Sequence, residues 1–254
     1  MIPFGNPALH SATTPYRSGR VFLMRAASLL LVLAFVASSA SGEPRPAPEK
    51  EPDKAPAAKG WKSLFDGKTL GGWEVTNFGS QGDVEVKEGR LILGVGDGCT
   101  GVTWKKDFPK INYEIRLDAM RVDGTDFFCG LTFPVGKDPC SLIVGGWGGS
   151  LCGLSSLDGE DAASNETTTY ETFKNGQWYP VRLRVTPKRI TAWVDGKKIV
   201  DQSIENRRLS VRIEVEASRP LGLASWCTTA ALRNIEYRLL TEEEIKQAAA
   251  EENM

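Results

Sequence analysis

WYPVRLRVTPKRITAWVDGKKIVD, residues 178–201, contains three strands and the two turns that join them. Val181, Leu183 and Val185 alternate with Arg182 and Arg184, a period of two that belongs to a strand with one buried face. Pro187-Lys188 makes a turn. Ile190, Ala192 and Val194 then continue the apolar face, with Trp193 on the opposite side. Asp195-Gly196 is a hairpin signal, because a type I′ turn needs positive φ at both central residues. Lys197–Asp201 returns. The segment predicts an antiparallel meander.

The same period runs outward from it. Val84–Val86 and Leu91–Leu93 flank Glu88-Gly89. Ile111–Val122 is long, with Ile111, Tyr113, Ile115 and Leu117 on one face and Asn112, Glu114, Arg116 and Asp118 on the other. Phe127–Phe133, Leu142–Gly146, Leu151–Ser155, Val211–Val215, Leu221–Trp226 and Leu232–Leu239 are further strand candidates. Many short strands with frequent turns and no helix between them predict an all-β sandwich or barrel over residues 60–240. The stripe Glu114, Arg116, Asp118 reads either as a solvated face or as the lining of a groove.

The ends have different compositions. Met24-Arg25 precedes AASLLLVLAFVASSASG, an apolar run followed by small residues. It reads as a secretory signal peptide over residues 1–42, with translation starting at Met1 or Met24, or alternatively as a short membrane anchor. Residues 43–59, EPRPAPEKEPDKAPAAK, are proline and charge with nothing to bury, and predict an extended, disordered linker. These features place the protein outside the cytoplasm, secreted or in the periplasm or cell envelope, with no membrane partner once the leader is removed. In residues 241–254, Thr241 stands three residues before Glu244, a capping-box spacing that predicts a short helix or tail.

Composition narrows the chemistry. A formal net charge of −1 gives no basic field for nucleic acid. The one histidine is His10, so the folded part has no Ser-His-Asp or Cys-His nucleophile and lacks the commonest catalytic zinc ligand. Carboxylates, tyrosine or lysine must carry any chemistry near neutral pH. The five cysteines, at 99, 129, 140, 152 and 227, include no CxxC pair. Cys140 and Cys152 bracket SLIVGGWGGSL and would face each other if that hairpin folded about Gly146, which allows a disulfide.

Candidate functional residues follow by type. Glu114, Asp126 and Glu171 are the candidate catalytic carboxylates. Trp147 sits among four glycines in GGWGGS, and stands exposed as a stacking platform for a sugar ring or folds back into the core. Asp158, Glu160 and Asp161 open an acidic loop whose hard oxygens suit substrate hydroxyls or a structural calcium ion, although the spacing does not fit an EF-hand. Asn165-Glu166-Thr167 is a formal glycosylation sequon.

An ordered set of motifs resembles the 3-keto-disaccharide hydrolase family. It consists of GWKSLFDGKTLGGWEV at Gly60–Val75, EVKEGRLILG at Glu85–Gly94, INYEIRLDAMR at Ile111–Arg121, NGQWYPVRLRV at Asn175–Val185, ITAWVDGKKIVD at Ile190–Asp201, then PLGLASW and ALRNIEYR. The resemblance implies a concanavalin A-like, two-sheet jelly roll, with Phe65 and Trp73 packed where opening and closing strands meet. It also implies action on oligo- or polysaccharides: cleavage of glycosides oxidised at the sugar 3-position, by a base-driven elimination that needs one general base and an oxyanion stabiliser. In that scheme Glu114, Asp126 or Glu171 is the base, Arg116 a clamp on the oxyanion or a hydroxyl, and Trp147 the platform, with no cofactor. The alternatives are a carbohydrate-binding module without catalysis, tethered by the proline-rich linker, and an envelope structural protein without small ligands. The chain departs from the family pattern in the middle sheet, with TDFFCGLTFPVG at Thr125–Gly136 and LIVGGWGGSLCG at Leu142–Gly153.

Overall fold

The computed structural model describes residues 60–251, so the expectations for the leader, the linker and the last three residues lie outside it. Two antiparallel sheets pack face to face. The first, sheet A, runs β13 (Lys197–Ser203), β12 (Arg189–Val194), β11 (Trp178–Val185), β6 (Tyr113–Asp123), β15 (Thr229–Leu239), β4 (Arg90–Leu93) and β3 (Val84–Lys87); β1 (Lys62–Ser63) also pairs with β15. Sheet B runs β10 (Thr169–Tyr170), β9 (Leu151–Ser155), β8 (Asp138–Gly146), β7 (Cys129–Val135), β14 (Gly222–Trp226), β5 (Cys99–Trp104) and β2 (Trp73–Val75). This is the expected jelly-roll sandwich. β11, β12 and β13 form the meander, with Val181 opposite Val194 and Val185 opposite Ile190.

Alternation explains the core. Tyr113, Ile115, Leu117 and Ala119 of β6 and Val181, Leu183 and Val185 of β11 meet Cys129, Leu131 and Phe133 of β7, Cys140, Leu142 and Val144 of β8, and Leu223 of β14. The aromatics of the opening segment close the sandwich. Trp73 and Phe65 are buried, the Trp73 indole N–H donates to the Leu64 carbonyl at 2.9 Å, and its ring meets Trp104 edge-on at 5.2 Å. β1 lies beside the closing strand, Lys62 opposite Tyr237. The FDG turn is held by Asp66, whose carboxylate accepts the N–H groups of Lys68 and Thr69.

Two expectations change. Val211–Val215 is not a strand: residues Ile213–Ser218 form a 3₁₀ turn laid on sheet B, with Ile213 87% exposed. Cys140 and Cys152 do not face each other either. The hairpin turns at Trp147–Ser150, so Cys152 stands opposite Val144 while Cys140 pairs with Phe133. Both thiols are free and buried.

The C-terminal helix α1 (Glu242–Glu251) forms on the expected capping box: the Thr241 N–H donates to Glu244 Oε2, and the Glu244 N–H to Thr241 Oγ1. Arg238 of β15 docks it through a two-pronged bond to the Glu244 carboxylate, at 2.7 and 2.8 Å. That bond holds Glu244 down to about 2, from an ordinary 4.5. A depressed carboxylate contributes stability above its unfolded value and loses it as pH falls towards the folded one. Helix docking is therefore expected to be complete above about pH 4.5 and to fade between 4.5 and 2. Glu244→Gln should remove that pH response and cost on the order of 1–2 kcal/mol at neutral pH, given its partial exposure. Circular dichroism and denaturant titrations across that range check both.

Candidate functional site

The outer face of sheet A carries the polar stripe, and the stripe is closed upon itself. The Glu114 side chain is 1% exposed, accepting Arg184 Nε at 2.8 Å on one oxygen and Arg238 Nε at 2.9 Å on the other. Arg116 gives Nε and Nη2 to Glu236, at 2.8 and 2.6 Å, and lies over the Trp61 ring at 4.1 Å. Asp118 accepts Arg233 and Asn234, while Arg233 stacks on Trp178 and Arg182 on Trp193, each at 3.9 Å. Arginine on tryptophan, bridged by carboxylates, ties neighbouring strands together. Glu114, expected as a base, and Arg116, expected as a clamp, thus both sit in ion pairs between strands. Both lie on β6 and are committed to side chains of the flanking strands β11 and β15, and neither lines the cleft or the depression described below.

Sheet B differs. The outward residues of its central strands are buried too, because two segments cover them. Residues 156–168 lie over β9. Thr167 Oγ1 accepts the Leu154 N–H, and the Asn165 amide donates to the Leu154, Glu160 and Asp161 carbonyls. Asn165 is thereby a buried knot rather than an exposed sequon. A Cβ at Gly153 would sit 3.1 Å from the Thr167 carbonyl, a tight approach that shows how closely the loop covers the strand. The 3₁₀ turn covers β14 and β5, and its Ser218 carbonyl comes so close to Gly222 that a Cβ would stand 2.5 Å away. Residues 208–210 bond to 156–158, joining the two covers.

A cleft of about 250 Å³ remains between them, over the middle of β8 and the ends of β5, β9 and β14. Its walls are Trp147, Trp226, Phe127 and Ile143, its rim Asp126, Arg212 and Glu214, and its hydroxyl groups Ser141 and Ser155. This is below the roughly 300–1,000 Å³ of pockets for drug-sized ligands and matches a single ring-sized group. Trp147, at positive φ between two glycines, is 43% exposed at the mouth, with the Arg212 guanidinium 6.0 Å from its ring.

The two carboxylates of the rim differ. Arg212 takes both oxygens of Glu214, at 2.7 and 3.1 Å, and also pairs with Asp161. The guanidinium holds Glu214 below the usual carboxylate range. The Asp126 carboxylate accepts two backbone N–H groups, Phe127 at 2.7 Å and Gly148 at 3.3 Å, and among the described residues no ion pair engages it. Cys99 also lines the cleft, but burial pushes its thiol up to about 12, which removes it as a nucleophile near neutral pH.

Of the sequence candidates, Asp126 and Trp147 are thus brought together. Glu171 lies in an adjoining open depression with Ser150 and Asn175, paired with Lys197. Buried Arg121 fixes the wall between the two, donating to Asn175 at 2.7 Å and to the Phe173, Gly149 and Asp126 carbonyls. Asp158 binds Arg207 and the Arg208 N–H. Asp161 goes to Arg212, and no group of three or more acidic, cysteine or histidine side chains converges among the described residues. Arg212, Glu214, Trp226 and Ser155 were missed. Alternation in LGLASW, which buries Leu223 in the core, puts Trp226 on the outer face and could have found it.

The family model described as a 3-keto-alpha-glucoside-1,2-lyase-like domain matches residues 60–238. The chain belongs to that family. No curated protein matches the sequence. Among solved structures, the chain is similar to a putative glycosyl hydrolase from Parabacteroides distasonis, at 15% identity and a TM-score of 0.47, over 72% of this chain and 94% of that one. It is also similar to the carbohydrate-binding module CBM66 from Bacillus subtilis, at 16% and 0.47, over 66% and 95%. A Bacillus subtilis protein with a galectin-like fold matches at 10% and 0.47, over 66% and 90%. The likeness to these solved structures is one of fold.

Proposed function

We propose that the protein cleaves glycosides oxidised at the sugar 3-position, by elimination followed by addition of water, in the cleft between Trp147 and Trp226. The observation that supports this most is the pair of unlike carboxylates. Direct glycoside hydrolysis uses two carboxyl groups, one as acid and one as base or nucleophile. Here Glu214 is neutralised by Arg212, which leaves Asp126 as the single free base. Elimination next to a ketone needs only one.

In this reading the sugar ring lies against Trp147. Asp126 takes the proton from the carbon beside the ketone, and the C–H electrons move onto the ketone oxygen, where the Arg212 guanidinium, still paired with Glu214 and Asp161, supplies the nearby positive charge. Collapse of the enolate expels the glycosidic oxygen, which is reprotonated from Asp126, and water adds to the unsaturated product. The apolar run before residue 43 supports the reading that this activity lies outside the cytoplasm.

Disaccharides oxidised at C3 are expected to turn over, with loss of deuterium from C2, while the parent disaccharides do not. Equal turnover of both, or exchange without cleavage, would overturn the mechanism. Retention on a polysaccharide column without turnover would make the domain a binding module.

A further inference from the structure

The cleft has an unmatched hydrogen-bonding group among its hydroxyls. Ser155 is 1% exposed, and its side chain belongs to the outer face because Cys152 and Leu154 of the same strand point into the core. Its Oγ is buried and has no hydrogen-bond partner. Ser141 stands directly across in register, but its hydroxyl is engaged with Thr132 at 2.9 Å. The carboxylates of the cleft have contacts of their own: Glu214 is bound to Arg212, and Asp126, at the mouth, accepts two backbone N–H groups but has no ion pair among the described residues.

A buried hydroxyl without a partner is costly to the folded protein. Small-molecule sites combine apolar walls with a few such groups that fix orientation. We propose that Ser155 is a specificity-determining residue that hydrogen-bonds one oxygen of the bound sugar ring. This rests on the reading that the cleft holds a saccharide, and it adds which group orients the ring. Ser155 does not touch the bonds that change. Its role is to seat the ring so that the carbon beside the ketone meets Asp126.

The structure makes two opposite demands on Ser155→Ala. Without ligand the variant should be as stable as the parent or more so, because it loses only an unsatisfied group. With ligand it should bind more weakly, by about 5- to 30-fold. The test is calorimetry in an Asp126→Asn background, which stops turnover, using methyl 3-keto-α-glucoside and its monodeoxy analogues. One analogue, lacking the oxygen that Ser155 meets, should bind both proteins equally, and Ser155→Cys should fall between serine and alanine for the parent sugar. Equal affinity of Ser155→Ala for the parent sugar would overturn the inference alone, as would an equal loss across all analogues. Thermal unfolding reports separately whether the variant folds. If no saccharide binds the unsubstituted cleft, the functional reading falls and the inference with it.

Discussion

Glu114→Ala is expected to destabilise the domain by about 3–5 kcal/mol, near the cost of removing one partner of a buried ion pair. The Glu114 side chain is sealed, and the guanidiniums of Arg184 and Arg238 approach its two oxygens, with Arg182 at 3.9 Å. Removing the carboxylate leaves positive groups crowded across β11, β6 and β15, where register places Arg184 and Arg238 on either side of position 114. Arg238 retains Glu244, and the arginines are partly solvated, so the lower half of the range is the better expectation. Urea unfolding measures it as a lower midpoint at unchanged slope. Activity per folded molecule should be unaltered. A carboxylate acting as base would give the opposite pattern, lost turnover at near-normal stability. The one variant therefore separates the structural role from the catalytic role that its sequence position suggested.

The sandwich was legible because strand signals are local. Val181-Arg182-Leu183 alternation, the Asp195-Gly196 turn and the Thr241–Glu244 box each lie within a few residues of one another. Each formed as its chemistry requires. Asn234 shows the same economy of signal: it adopts φ 53° where β15 shifts register between Arg233 and Glu236, so the RNI triplet marks a bulge. The site was less legible because its partners are remote in the chain. Glu114 alternates with Ile115 whether its face meets water, a sugar or arginine. Its partners come from residues 184 and 238, and no local pattern reports that. Val211, Ile213 and Val215 alternate like a strand, yet the segment lies across the sheet as a 3₁₀ turn with Ile213 outside and Val215 inside. Missing that turn meant missing Arg212 and Glu214, and with them the reason why one carboxylate of the cleft is spoken for and the other is not.

The other large effect falls on Asp126. Asp126→Asn is expected to lower kcat on a 3-keto glycoside by about 10²–10⁴-fold, the contribution of a positioned general base. KM should change little, because the aromatic walls and Ser155 are untouched. Stability should stay within about 1 kcal/mol, since the asparagine oxygen can still accept the Phe127 N–H and only the longer Gly148 bond at 3.3 Å is put at risk. Glu214→Gln makes the informative comparison. It removes charge from a carboxylate already bound to Arg212, so it frees the guanidinium instead of deleting a base. A modest change in kcat is expected, well short of that in Asp126→Asn. If Glu214→Gln abolishes turnover while Asp126→Asn leaves it intact, the base is Glu214 and the proton must pass to the paired carboxylate. If both abolish it, two carboxylates are required and the reaction is ordinary acid–base hydrolysis. Steady-state kinetics with oxidised and parent disaccharides, alongside the unfolding midpoint of each variant, distinguishes these results.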